Sequence, residues 1–321
     1  MVIETKRTVK EKKPFRRKVV ITAIVPLLVI ISALIFIYFT QQEPKLKPNP
    51  ASGAIIRQLA AKQLFAETGI KKDPNELSDE DFAQITEFEL HGKELCDFRL
   101  LEKFTNLRKL GISDLRYSMP KWMKILAKLG IHDFEKRFAF DLSPLEKLTN
   151  LQDFRLRRIP IKNIKPLASL VNLEYLQLNS TSVSDIEPIK ELRSLENLNL
   201  IYTSVSDIEP LRELKKLKVL NLDETKVNDL RPLQGLINLE GLTLSDTPVS
   251  YLDSLKELQN LQSLILDGTP VSSLEPLIGL TKLHTLYLID CNNLTEEQIN
   301  NLQKALPKLI IIRNPAERLA F

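Results

Sequence analysis

Apolar residues return at a fixed spacing of 22 residues through the second half of the chain. The segment VSDIEP begins at Val183 and again at Val205. From each start, the positions at offsets 3, 6, 9, 12, 15 and 17 are also aliphatic, so six repeats of seven positions give 42 Leu, Ile or Val residues. The six starts are Ile161, Val183, Val205, Val227, Val249 and Val271. We therefore predict stacked, nearly identical coils that share one continuous core.

Each repeat contains two predicted elements. The pattern LxxLxL predicts a short strand whose alternate residues point into the core and out to solvent. The remaining residues have hydrophobes every three positions, which favours a 3-10 or short helical turn on the opposite, convex side. Proline recurs where that turn would begin, except that the repeat from Val249 has Ser254 there. These features are typical of leucine-rich repeats and predict an α/β solenoid, a horseshoe with a parallel concave β-sheet.

A threonine precedes the start of five repeats. Its hydroxyl can donate and accept hydrogen bonds where the strand turns inward. We interpret this column as a structural ladder and not as a row of nucleophiles. Its members are Thr181, Thr203, Thr225, Thr247 and Thr269.

The repeat register extends toward the N-terminus and predicts repeats over 95–292. Segment 117–138 fits the register poorly, since His132 and Pro120 occupy core positions. Because the spacing across it stays a multiple of 22, we interpret it as a degenerate coil. An alternative is a cationic amphipathic helix that bulges out toward a membrane or a partner.

Both ends of a solenoid need caps. Segment 53–94 is predicted to be an N-terminal cap, with a helix over 55–65, a capping box at 78–81 and then a first half-repeat. Segment 293–321 is predicted to hold a C-terminal cap helix over about 295–306, a final short strand and a tail.

The first fifty residues have a different composition. Residues 1–18 hold eight Lys or Arg, and 19–40 begin with 21 residues that carry no charge. This pattern predicts a basic cytoplasmic tail, a transmembrane signal-anchor helix over 19–40 and a proline-containing stalk over 41–52. A cleaved signal peptide is the alternative, but its apolar core would be shorter. The expected location is the cytoplasmic membrane, with a single pass, the N-terminus inside, and the repeats periplasmic or extracellular.

Composition and charge argue against most other functions. The net charge is +4, of which the first 18 residues supply eight positive and two negative charges, so the remainder carries −2 and no nucleic-acid partner is expected. The nine Gly form no dinucleotide or phosphate-binding motif, so no cofactor is predicted. Three His and two Cys are too scattered for a metal site. Cys96 and Cys291 are too far apart to pair and are expected to be buried. We therefore expect no enzyme and no small-molecule substrate.

Segment 139–292 resembles the repeats of bacterial internalin-like proteins. The segments VSDIEPIKELRSLENLNL (183–200) and VSDIEPLRELKKLKVLNL (205–222) carry the resemblance, and TEEQINNLQKALPKL is similar to the endings of such arrays. The resemblance implies a non-catalytic surface protein that binds other proteins.

The outward strand positions supply a candidate partner-binding surface on the concave face. Tyr, Asn and Arg combine contact area with directional hydrogen bonds, although an ordinary hydrated sheet face would carry the same residue types. The expected function is a protein-interaction module, with a monomeric ectodomain. A self-associating structural envelope protein and a cytoplasm-facing scaffold are the alternatives. The candidate residues are Arg155, Arg157, Tyr175, Gln177, Asn197, Asn199, Tyr202, Asn221, Asp223 and Tyr287.

Overall fold

The computed structural model describes residues 50–91, 98–114 and 140–316. The predicted basic tail, the predicted membrane helix over 19–40, nearly all of the predicted stalk and the degenerate segment 117–138 lie outside these ranges. Across the part of the chain that the structure describes, no helix combines the length and the apolar character needed to cross a bilayer.

The described residues form one ten-stranded sheet in which every strand pairs in parallel with its neighbour in chain order. Consecutive strands of the uninterrupted repeats are 22 residues apart, so Leu176, Leu198 and Leu220 are direct partners across the sheet. The strands are β1 Glu87–His91, β2 Lys109–Ser113, β3 Asp153–Arg157, β4 Tyr175–Gln177, β5 Asn197–Asn199, β6 Val219–Asn221, β7 Gly241–Thr243, β8 Ser263–Ile265, β9 Thr285–Tyr287 and β10 Ile310–Ile312.

The convex side is built from 3-10 turns, as the three-residue apolar spacing predicts. Six turns carry proline at their first or second position, where a fixed φ costs no helical hydrogen bond. The repeat with Ser254 makes the same turn without proline. The convex turns are Arg99–Lys103, Ser143–Lys147, Lys165–Ser169, Glu187–Ile189, Glu209–Leu211, Arg231–Leu233, Asp253–Leu255 and Glu275–Leu277.

The core lies between the sheet and these turns. All 42 aliphatic positions of the six regular repeats are buried, and Leu176, Leu198 and Leu220 are at most 1% exposed. The core is a continuous column rather than a sphere, because each coil packs only on its two neighbours.

Polar side chains at two positions of the repeat bind backbone groups, one within its own coil and one on the preceding coil. A polar side chain two residues before the turn caps most of the convex turns. Asp185 Oδ1 accepts from the backbone N–H of Glu187 at 2.9 Å, and Asn163 and Ser273 do the same before their turns. An asparagine before the strand reaches back one coil, as where Asn172 Nδ2 donates to the carbonyl of Thr149 at 2.8 Å. These bonds satisfy backbone groups that the short strands and turns leave over.

The described residues contain three α-helices, which lie at the ends of the array. They are α1 Pro50–Thr68, α2 Asp79–Ala83 and α3 Glu296–Ala305. Helix α1 includes the last three residues of the predicted stalk. Capping boxes at Ser78 and Thr295 open α2 and α3, as the sequence predicts. The ten parallel strands and the 3-10 turns define a leucine-rich repeat solenoid.

Candidate binding surface on the concave face

The strand register brings part of the predicted surface together. Tyr175 pairs with Asn197, and Gln177 pairs with Asn199, on the neighbouring strands β4 and β5. Asn199 continues to Asn221 on β6. Tyr287 lies three strands beyond Asn221, because Thr243 and Ile265 stand between them. At about 4.8 Å per strand, that separation is roughly 14 Å. The predicted surface therefore consists of one group over β3–β6 and Tyr287 apart from it.

Arg155 is fixed by two neighbours on the sheet. Its Nε and Nη2 donate to the two carboxylate oxygens of Asp153 at 2.9 and 2.7 Å. Its guanidinium carbon lies 4.8 Å from the centre of the Tyr175 ring, which is a cation–π contact. The hydrogen bonds from Asp153 raise the pKa of Arg155 above its ordinary value. Arg155 and Tyr175 therefore form a rigid pair rather than two free side chains.

Arg157, the last residue of β3, is exposed and has a different partner. Its Nε donates to Oε1 of Gln177 at 2.7 Å. Gln177 is only 7% exposed although it lies at an outward position, because its neighbours on the sheet cover it. A buried neutral amide thus orients an exposed guanidinium.

A cavity of about 230 Å³ opens beside these arginines. Its walls are Glu89, His91, Gly111, Ile112, Ser113, Arg155 and Arg157. Gly111, the partner of Glu89 across β1 and β2, has no side chain and leaves room for the Glu89 carboxylate. A Cβ built there would come within 1.8 Å of a carboxylate oxygen of Glu89, which lies across β2.

The cavity wall contains a serine, a histidine and a carboxylate that sequence analysis did not bring together. His91 Nδ1 lies 2.5 Å from Ser113 Oγ, and His91 Nε2 lies 3.2 Å from Glu89 Oε2. Their spacing contained the signal, since His91 and Ser113 are one repeat apart and pair across β1 and β2.

The exposure of these residues favours a polar wall over a nucleophilic centre. The His91 side chain is 63% exposed and that of Glu89 is 41% exposed, so water competes for both histidine nitrogens. In a serine hydrolase the acid that orients the histidine is buried. The group can hold and orient a polar ligand, and we assign no reaction to it.

Tyr202 is not on a strand. It lies in the turn after β5 with a φ of 55°. The equivalent turns at the strand-end edge of the sheet have a positive φ, at seven non-glycine residues including Tyr202 and at Gly268. Tyr202 is 56% exposed, and a hydrogen bond with Glu224 on the next coil raises the pKa of its hydroxyl. Tyr202 therefore borders the concave face and does not line its centre.

The remaining predicted polar residues partly support the backbone. Asn199 Oδ1 accepts from the N–H of Ile201 and Asn221 Oδ1 from that of Asp223, both at 3.1 Å. Asp223 Oδ1 accepts from the N–H of Ser245 at 2.7 Å. Their carbonyl or carboxylate oxygens shape the strand ends, while the side chains stay half-buried.

All five predicted threonines of the ladder are buried. Each hydroxyl donates to the carbonyl of the leucine three residues earlier, at 2.6–2.7 Å, and the pattern is the same for Thr181, Thr203, Thr225, Thr247 and Thr269.

The one cysteine among the described residues, Cys291, is buried and free. Its thiol contacts the carbonyl of Leu266 at 3.0 Å, and burial raises its pKa. The other cysteine, Cys96, lies outside the described ranges. No cluster of three or more His, Cys, Asp or Glu side chains suited to a metal occurs within 50–91, 98–114 and 140–316.

Comparisons with known proteins concern the fold. No family model and no curated protein matches the chain. Among solved structures, it is similar to internalin C2 of Listeria monocytogenes, with 25% identity, 76% of this chain and 99% of that chain covered, and a TM-score of 0.62. An internalin, InlF, of the same species has 22% identity over 83% of this chain and 91% of its own, with a TM-score of 0.45. A leucine-rich repeat protein of Leptospira interrogans has 17% identity over 84% of this chain and 99% of its own, with a TM-score of 0.42. The likeness to internalin C2 supports an internalin-like leucine-rich repeat fold.

Proposed function

We propose that this protein is a non-catalytic interaction module whose concave face binds a protein partner. One observation carries the proposal. Over β3–β6 the sheet presents a group of ordered arginine, tyrosine and amide side chains that no other element of the described chain covers. We define this group as the β3–β6 surface; it consists of Arg155, Arg157, Tyr175, Asn197, Asn199 and Asn221, with Tyr202 at its border.

The chemistry of the β3–β6 surface suits protein recognition. Arginine and tyrosine are enriched among residues that dominate binding energy, since each offers a large contact area and directed hydrogen bonds. Arg155 and Tyr175 are already fixed against each other, which lowers the entropy cost of ordering them on binding.

We further propose that residues 19–40 anchor the module in the cytoplasmic membrane with the repeats outside. The support is the sequence alone: eight cations lie before the apolar segment, and positive charge accumulates on the cytoplasmic side.

Photo-crosslinking tests the binding proposal. Benzoylphenylalanine replaces Tyr175 in one full-length variant and Tyr251 in a matched control, because Tyr251 is 75% exposed and lies outside the strands. We expect position 175 alone to crosslink one discrete protein, which mass spectrometry identifies and which binds again when purified. A product that contains only two copies of this chain would favour the self-associating alternative. Equal crosslinking from both positions would contradict a concave site.

Protease shaving of intact cells tests the topology proposal. We expect protease to remove a C-terminal tag once it passes the outer barrier, while the cytoplasmic membrane is still closed. A tag that survives until that membrane is broken would place the repeats in the cytoplasm.

A further inference from the structure

We infer that Arg157 is an anchor for a carboxylate, supplied by an aspartate or glutamate side chain of the protein partner. The inference rests on the proposed function and names the chemistry that the partner must bring to the β3–β6 surface.

The first step is the charge balance of the sheet's N-terminal half. Lys109 lies 3.6 Å from a carboxylate oxygen of Glu87, and Arg155 is bound by both oxygens of Asp153. Arg157 has no ion pair with any described residue, and its hydrogen-bond partner is the neutral amide of Gln177. Among the described cations of this half of the face, Arg157 is therefore the one whose charge is not balanced by a carboxylate.

The second step is the direction of the guanidinium. The bond to Gln177 occupies Nε, and neither Nη1 nor Nη2 has a hydrogen bond to any described residue. These two groups form a planar fork that fits the two oxygens of a carboxylate. Because Gln177 is 7% exposed, the acceptor of the bond that orients the fork is itself held in place by burial.

The third step is the space in front of the fork. Arg157 lines the 230 Å³ cavity, several times the roughly 30 Å³ that a water molecule occupies in the liquid. Ser113 is its direct partner on β2 and places a hydroxyl in the same cavity. A side-chain carboxylate can therefore enter the cavity and meet the guanidinium of Arg157, beside the Ser113 hydroxyl that contacts His91.

The charge of the ligand follows from the same cavity. One unmatched guanidinium compensates one negative charge. A phosphate carries roughly −1.5 to −2 at neutral pH, and its surplus charge would face Glu89 in the cavity wall. The structure therefore favours a carboxylate over the phosphomonoester of a phosphopeptide.

A peptide selection tests the inference. The full-length chain in detergent micelles is presented with a phage library of short random peptides, and selected peptides are resynthesised with each Asp or Glu changed to Asn or Gln. We expect one such change to weaken binding about tenfold or more, the usual effect of losing a charge-assisted hydrogen bond. In Arg157→Gln the acid and amide peptides should bind equally.

Three variants complete the design. Arg158→Gln removes the same charge one residue away, where the side chain pairs with Asp114 instead, and should keep the preference for the acid. Arg157→Lys keeps the charge but lacks the planar fork, so it should retain only part of the preference for the acid peptide. Gln177→Leu should weaken acid binding in the wild-type background but have no effect in Arg157→Gln, because Gln177 acts through Arg157.

Several results would overturn the inference. They are selected peptides with no acid preference, an acid preference that persists in Arg157→Gln, and binding to phosphatidylserine vesicles that depends on Arg157 while peptide binding does not. Failure of the proposed function is a separate result, since it appears as the absence of crosslinks from position 175.

Discussion

The guanidinium carbon of Arg155 lies 4.8 Å from the ring centre of Tyr175, on the neighbouring strand. Asp153 holds the same arginine with two hydrogen bonds. An aromatic ring and a carboxylate are thus both in contact with one cation, on β3 and β4 of the concave face. This arrangement makes the surface rigid before any partner arrives.

The ring of Tyr175, rather than its hydroxyl, should account for its effect on stability. Tyr175→Phe keeps the face on which Arg155 lies, whereas Tyr175→Leu removes it. We expect Tyr175→Leu to lower the free energy of unfolding by roughly 0.5–1 kcal/mol, since the contact is half-exposed, and Tyr175→Phe to leave it unchanged. Urea denaturation of the full chain in detergent measures both. Equal losses in the two variants would show that the cation–π contact is not the cause.

The assignment of strand phase is testable at Leu198, which is 1% exposed and pairs with leucines on both neighbouring strands. Leu198→Asp places an unpaired charge in the core and should cost more than about 4 kcal/mol. Asn197→Asp, one residue earlier and outward, should change stability by no more than about 0.5 kcal/mol. Circular dichroism during heating compares the two. A Leu198→Asp variant that melts like the wild type would refute the assignment of Leu198 to the core-facing side of its strand.

The threonine ladder should contribute to stability coil by coil. Thr203 Oγ1 donates to the carbonyl of Leu200 at 2.7 Å, in a buried position. Thr203→Val keeps the shape but leaves that carbonyl without this donor, so a loss of about 1–3 kcal/mol is expected. Ser204→Ala, at the exposed next position, is the control and should have no measurable effect. A Thr203→Val variant with the stability of the wild type would mean that water replaces the hydroxyl as the donor to Leu200.

The N-terminal cap should weaken in acid because of Asp81. This carboxylate is 3% exposed, accepts from Lys72 Nζ at 2.7 and 2.8 Å, and accepts from the backbone N–H of Ser78. The hydrogen bond from Lys72 is the largest cause that lowers the pKa of Asp81. A lowered folded-state pKa contributes stability that is present above the unfolded value, near 3.9, and lost as pH falls through the folded value.

We therefore expect the melting temperature of the wild type to fall below about pH 4. Asp81→Asn should be less stable at neutral pH and should show a smaller fall. Glu76→Gln, at an exposed position of the same segment, is the control. An Asp81→Asn variant with the acid dependence of the wild type would assign that dependence to other carboxylates.

The regular part of the fold was predictable because one rule repeats. An aliphatic column such as Leu176, Leu198 and Leu220 fixes the period, and the period fixes strand order, direction and register together. The capping boxes at Ser78 and Thr295 were readable because each joins a cap and its partner three residues later. Both are local or strictly periodic relationships.

The details of the site were less predictable because side-chain contacts do not follow the period. Phase places Arg155 and Arg157 on the same face, yet only the structure shows that one is bound by a carboxylate and the other by an amide. Phase also places His91 and Ser113 in register, but the contact of Glu89 with His91 on its own strand does not follow from the period. Tyr202 was assigned to the same stripe as Tyr175, although the positive φ after β5 moves it to the edge.

The most direct test of a concave binding surface is capture of the crosslinked partner by three purified forms of the full chain. These are the wild type, a variant with Tyr175→Ala and Tyr202→Ala, and Tyr251→Ala as the control for an exposed tyrosine outside the strands. Calorimetry should show all three forms folded, with the double variant melting only a few degrees lower because it loses the contact between Arg155 and Tyr175. We expect the double variant to lose capture while Tyr251→Ala retains it. Full capture by the folded double variant, or equal loss in both variants, would contradict a binding site on the β3–β6 surface.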